Sequence, residues 1–345
     1  MRFSPASSAR SRSSPFAALL ALTLASTAAG SAHAQRLDGF NVIATPGHAF
    51  GGASANRALV AARRLGATSI AIVPFLWQPD KSSGLVRRGN DMSDDVLRAA
   101  IRQVRSLGLI AIVKPHVWVP SSWAGAVEPA SEDAWRAWFT AYEGELERIA
   151  RIAAQENAEV LAIGTELVKT TQRPEWVGLI ATIRAAYGGM LTYIAHNADE
   201  AEAIPFWNLL DAVGVSLYPA LGADQARDVR LAAMDGAADR LEALSARTGK
   251  SVLVGEIGLR SAQGAAAKPW ESAEERTAAP DPMLQAEVLA DWLAVLQRPA
   301  IKGVLVWRWF TDPQAGGLAD TDFTVQGKPA EGVLLCAWSV GCRKL

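Results

Sequence analysis

VLAIGTEL, residues 160–167, decides how this chain folds. An apolar run reaches Gly164 and then ends on a glutamate, Glu166. SVLVGEIG, residues 251–258, repeats the arrangement and places Glu256 90 residues after the first glutamate. Continuous apolar runs without polar alternation suit parallel strands covered on both faces. Burying a carboxylate is costly unless it is paired, so a glutamate where such a strand runs out has no packing role there.

Working outward, strand-length apolar runs alternate with helical segments along the chain. The runs are Phe40–Ala44, Ser69–Trp77, Leu109–Trp118, Val160–Glu166, Met190–Asn197, Ala212–Tyr218, Ser251–Glu256 and Gly303–Trp309. Amphipathic stretches lie between them at Ser93–Leu107, Glu132–Gln155, Arg230–Arg247 and Met283–Gln297. Ser93-Asp94-Asp95, Ser131-Glu132-Asp133 and Pro282 are helix-start signals. The pattern predicts an α/β fold, a single-domain (β/α)8 TIM barrel. An open doubly wound sheet would carry a glycine-rich phosphate turn after its first strand, and residues 45–52, TPGHAFGG, lack that spacing. Ser261–Pro282 reads as a long, mobile loop over the barrel mouth.

Residues 1–34 read as a secretory signal peptide: Arg2, Arg10 and Arg12, an apolar run from Phe16 to Leu24, and Ala32-His33-Ala34 before Gln35. Residues 35–345 then form the catalytic domain, exported to the periplasm or secreted. Removing the leader takes the formal charge from −1 to −4, which gives no electrostatic case for nucleic acid. After the leader no apolar stretch approaches membrane length. Cys336 and Cys342 invite a disulfide in an oxidising compartment. Three histidines remain after the leader, and a three-histidine metal site would require the barrel to bring three separate strand ends together, so neither a metal nor a cofactor is expected. Oligomeric state is not legible.

In a barrel the chemistry gathers at the carboxyl ends of the strands, where both glutamates fall. Such a pair suits glycosidic-bond hydrolysis, one carboxyl donating a proton and the other acting as nucleophile or base. Small or aliphatic residues beneath each would leave a low dielectric and raise the pKa of one of them, as a general acid requires. Lys114, His116 and Trp118 share a face by strand alternation and form one candidate wall. His196-Asn197 ends the fifth strand, and Tyr218 at the sixth is placed to hydrogen-bond a nucleophile carboxylate. The chain has twelve tryptophans against four tyrosines. Trp77, Trp118, Trp307 and Trp309 lie at strand ends, where indoles stack on sugar faces. A carbohydrate substrate follows, bound by Lys114, His116, Trp118, Asn197, Tyr218, Trp307 and Trp77. A carbohydrate-binding barrel without turnover is the rival from another class; it would keep the tryptophans.

Taken in order, Val73-Pro74-Phe75, Lys114-Pro115-His116-Val117, Gly164-Thr165-Glu166-Leu167, Gly214 to Pro219, Gly255-Glu256-Ile257-Gly258 and Phe323-Thr324 to Ala330 resemble glycoside hydrolase family 113, a clan A family that includes endo-β-1,4-mannanases. The resemblance implies a retaining double displacement on a β-mannan-type substrate, with Glu166 as acid/base and Glu256 as nucleophile. That route needs carboxyls about 5–5.5 Å apart. It implies that Tyr218 is the aromatic beside the nucleophile, and that Asn197 and Trp307 line the cleft. The chain departs from the clan pattern at Thr165, where many members carry an asparagine that contacts the sugar 2-hydroxyl. It also lacks an arginine near the end of strand two. Another β-glycan or a bacterial exopolysaccharide is the alternative substrate.

Overall fold

The computed structural model describes residues 36–222 and 227–339. The expected leader and Cys342, with its expected bridge to Cys336, lie outside the described residues. Eight parallel strands close a barrel in strictly sequential order. They are β1 (Gly39–Ile43), β2 (Ser69–Ile72), β3 (Ile110–Val113), β4 (Val160–Thr165), β5 (Met190–His196), β6 (Val213–Leu217), β7 (Val252–Ile257) and β8 (Ile301–Phe310). Closure is made by β1, where Gly39 pairs with Ser69 of β2 on one side and Leu305 of β8 on the other.

One helix follows each strand: α1 (Ala53–Arg64), α2 (Asp94–Ser106), α3 (Glu132–Gln155), α4 (Glu175–Ala186), α5 (Asn197–Ala203), α6 (Arg227–Thr248), α7 (Pro282–Val295) and α8 (Ala330–Trp338). The chain is a (β/α)8 TIM barrel. Several helices begin where their caps dictate. Ser131 accepts the Ala134 N–H at 3.1 Å with Glu132 and Asp133 in the first turn, and Asp281 accepts the Leu284 N–H at 3.0 Å ahead of Pro282. Each satisfies an N–H that the helix cannot.

Two layers of core hold the barrel. Strand residues such as Ile70, Ile72, Val113 and Ile163 pack outward against the helices. A separate cluster of Ala71, Ile112, Val160, Leu253 and Leu305 draws only on strand positions and fills the lumen. Buried polar groups mark the carboxyl ends of four strands, with Thr165, Ser216 and Glu256 at or next to the last residue of β4, β6 and β7 and Lys114 one residue past β3.

Two expected strands are shorter than the apolar runs. A proline cannot donate to a ladder, and Pro74 and Pro115 end β2 and β3 within two residues of each strand's close. The two chains stay in register past the prolines, with His116 N–H donating to Pro74 O at 3.1 Å. They then form a separate three-stranded sheet, Arg87–Arg88, Phe75–Trp77 and His116–Trp118, beyond the barrel end. Lys114 therefore belongs to the barrel mouth and Trp118 to this extension, so the single strand face expected to carry both does not exist. The loop after β7 is also not loose. Buried Arg260 donates to the carbonyls of Ser272, Arg276 and Thr321, and Ala262 bridges to Pro280.

Candidate active site

Glu166 stands one residue past β4 with φ +55°. A side chain in the left-handed region costs about 1 kcal/mol, and two hydrogen bonds hold the backbone there. The Glu166 N–H donates to Ile194 O at 2.8 Å, and the Leu167 N–H to Tyr193 Oη at 2.7 Å. The glycine two residues or one before each glutamate is also required. A Cβ on Gly164 would lie 2.8 Å from the Tyr193 ring, and one on Gly255 2.8 Å from Ile194 Cδ1. The β5 side chains thus fill the space that both motifs leave, which explains glycine at both positions.

Glu256 lies inside β7 and is 4% exposed. Its two oxygens have different partners. The fully buried Lys114 ammonium donates to Oε1, and the Tyr218 hydroxyl donates to Oε2 at 3.1 Å. Burial pushes this carboxyl above its ordinary value, with the Lys114 charge pulling it down and the Glu166 charge pushing it up. Burial and the neighbouring carboxylates likewise hold Tyr218 protonated, its pKa raised well above the usual phenol value.

Glu166 keeps different company. Its Oε1 lies 3.1 Å from His196 Nδ1. Burial pushes this carboxyl up, as the sequence suggested for a general acid, but the His196 hydrogen bond and the positive charge around it outweigh burial and the net shift is downward. His196 is raised because Glu166, Glu200 and Glu256 face it and overcome its own desolvation. Behind the ring, Glu200 accepts from the His196 backbone N–H and, at 2.7 Å, from the Tyr193 hydroxyl, and burial pushes Glu200 up to about 7. Asn197, at φ +54°, bridges His196 Nε2 at 3.0 Å to the Tyr218 N–H at 2.8 Å.

Trp307 joins the two halves of the wall, with Lys114 Nζ 5.3 Å and the His116 ring 6.3 Å from its ring. Burial and the Lys114 charge lower His116 to about 4, so it is a neutral imidazole. Lys114, His116, Asn197, Tyr218, Trp307 and both glutamates therefore come together. Trp77 and Trp118 do not join them directly. They pair with each other at 6.0 Å on the extension sheet, 40% and 47% exposed, linked back to His116 through Phe75. Trp309 is buried against Phe40 and serves the core.

Sequence reasoning named His196 only as a strand end and overlooked Trp123, whose ring lies 4.9 Å from His196 and is 44% exposed. A tryptophan in a short loop carries no strand signal, so nothing in the string points to it. Thr165 is buried with its hydroxyl donating to Pro115 O at 2.9 Å. It ties β4 to the start of the extension and does not present a group to the cleft. Among the described residues no group of three or more His, Cys, Asp and Glu side chains is placed to hold a metal ion, and no helix is long and apolar enough to cross a membrane.

The family model for glycoside hydrolase family 113 matches residues 40–328. Among solved structures, the chain is similar to a family 113 β-mannanase from Alicyclobacillus acidocaldarius in complex with ManMIm, at 21% identity and TM-score 0.78, covering 88% of this chain and 97% of that one. A family 113 β-1,4-mannanase structure matches at 26% identity and TM-score 0.77, covering 88% and 99%. A β-glucuronidase from Ruminococcus gnavus shares the barrel at 13% identity and TM-score 0.62, covering 88% of this chain and half of that one. No curated protein gives a significant sequence match.

Proposed function

Because the chain belongs to glycoside hydrolase family 113, we propose that it hydrolyses a β-mannan-type polysaccharide with retention, using Glu166 as acid/base and Glu256 as nucleophile. The observation that carries the assignment is the difference in partners. Glu256 sits between the Lys114 ammonium and a phenol that stays protonated, partners that suit a carboxylate that must be anionic before it attacks and again when it leaves. Among the described residues Glu166 touches no lysine or arginine and has one oxygen on an imidazole nitrogen, a partner that can stay neutral beside a carboxyl that is itself protonated. A group that gives up and regains a proton in each turnover needs the second environment.

In this mechanism Glu256 attacks the anomeric carbon while Glu166 delivers its proton to the leaving oxygen. Glu166 then takes a proton from water as the water displaces Glu256. Trp307, His116 and Lys114 form the wall around the reacting sugar, and Trp123 borders the Glu166 side, where the leaving group departs. The mannan assignment is supported by the β-1,4-mannanase at 26% identity. Another β-glycan or an exopolysaccharide is the second reading, favoured by Thr165, whose hydroxyl is engaged with Pro115 and leaves the sugar 2-hydroxyl to other groups. We further propose that residues 1–34 export the enzyme, which places it where a polysaccharide can reach it.

The test is reducing-sugar release by residues 35–345 on β-mannan, glucomannan, β-glucan, xylan and chitosan, with Glu256→Gln as the blank. Release from mannan that vanishes in the blank is expected. Glu166→Ala should keep turnover of activated glycosides and, with azide, yield a β-glycosyl azide. An α-azide, or full activity of Glu256→Gln, would sink the mechanism.

A further inference from the structure

The Tyr218 backbone N–H is a donor that cannot reverse, and Asn197 Oδ1 accepts it at 2.8 Å. A side-chain amide has one accepting and one donating end, so Nδ2 is committed to the opposite side, 3.0 Å from His196 Nε2. An amide N–H2 only donates. Nε2 must then be unprotonated, and the ring's single proton lies on Nδ1, 3.1 Å from Glu166 Oε1. Rotating the amide would set Nδ2 against the Tyr218 N–H. Tyr218 is buried, and a stranded donor there costs about 1–3 kcal/mol.

We propose that Tyr218 N–H, Asn197 and His196 form a one-way hydrogen-bond relay that fixes His196 as the neutral Nδ1–H tautomer and confines the acid proton of Glu166 to Oε2. The proposal rests on the reading of Glu166 as the acid/base. Oε1 is occupied by the Nδ1–H, so the second proton of the pair has only Oε2 to occupy. As the glycosidic C–O bond breaks and the Glu256–carbon bond forms, that proton passes from Oε2 to the leaving oxygen. In the second half a water proton returns to Oε2 as the water oxygen bonds to carbon and Glu256 is released. The Nδ1–H···Oε1 bond persists throughout.

The charges around the ring oppose this arrangement. Glu166, Glu200 and Glu256 face His196 and favour an imidazolium, and Lys114 favours the ionised Glu166 carboxylate that would pair with it. The Asn197 amide is the counterweight, because a proton on Nε2 would point at another donor. His196 and Asn197 are positioning residues here. Tyr218 serves both carboxylates, donating its hydroxyl to Glu256 and its N–H to the relay.

The test is the ring nitrogen spectrum of protein labelled with nitrogen-15 histidine, His196 being assigned by its loss in His196→Asn. A bare Nε2 and a protonated Nδ1 at neutral pH are expected. A protonated Nε2, in either the neutral or the charged ring, overturns the relay whatever the activity, so a failed substrate assignment and a failed relay are separable. Asn197→Asp turns the donating end into an acceptor while keeping the Tyr218 N–H satisfied. It should convert His196 to the imidazolium and lower the basic limb of kcat/KM on mannan by about one unit. The loss on mannan at neutral pH should exceed that on a dinitrophenyl glycoside, which departs without a proton, about tenfold. His196→Asn, which keeps a donor toward Oε1, should retain the wild-type limb. An unmoved limb in Asn197→Asp, or equal losses on both substrates, also overturns the proposal.

Discussion

Glu256 is held at the balance of two opposed effects: burial that favours its neutral form and an ammonium that favours its charge. Removing Lys114 leaves burial unopposed. In Lys114→Met, of similar length, we expect the Glu256 carboxyl to rise further. A nucleophile must be ionised, so the acidic limb of the kcat/KM profile moves to higher pH, and activity at neutral pH falls roughly 100-fold. A pH–rate profile on mannan checks this, and an acidic limb left in place would mean Glu256 draws its charge stabilisation from elsewhere. Both glutamates were legible because each interrupts an apolar run. Their partners were not. Lys114 is 142 residues from Glu256 in sequence and His196 is 30 from Glu166, and only barrel closure brings them within reach. Burial does raise one of the pair, Glu256, but at Glu166 the His196 contact reverses it, and that contact is not readable from the string.

At the scale of elements, apolar runs located every barrel strand, because a strand covered on both faces must be apolar throughout. Where the run continued past a proline the reading overran, and the extension sheet went unseen. That sheet is the element with the clearest separable task. Phe75–Trp77 and His116–Trp118 pair in register, so Trp77 and Trp118 stand side by side with faces open to solvent. Apolar faces of this size left in water beyond the candidate site suit sugar stacking at a distance from the scissile bond, if the substrate is the polymer proposed above. We expect Trp77→Ala and Trp118→Ala each to raise KM for mannan about 3- to 10-fold. The kcat for mannan, and all parameters for a short aryl glycoside, should stay near wild type. Equal effects on the polymer and the short substrate would remove the extension from binding and assign the two indoles to packing.

For the whole molecule, a closed ring of eight strands leaves no free edge, and stability then depends on how the outer helices are locked to one another. The α6–α7 contact shows the cost of one such lock. Asp291 of α7 is 1% exposed and takes Arg230 at 2.6 and 2.9 Å and Arg227 at 2.7 and 2.9 Å, both from α6. Arg230 is itself 6% exposed, whereas the Arg227 side chain is 69% exposed. Truncating the aspartate strands one guanidinium in the interior and merely releases the other into water. A stranded buried charge costs about 3–5 kcal/mol, whereas replacing both partners by apolar groups is often neutral or better. We therefore expect Asp291→Ala to lower Tm by roughly 10 °C in a domain of this size. Arg230→Leu with Asp291→Leu should recover most of that loss. Neither residue touches the candidate site, so mannan hydrolysis well below Tm should be unchanged in both variants. Thermal melts with activity assays at a low temperature decide it. A single variant as stable as wild type would show that water reaches Arg230 and that the α6–α7 seam is open.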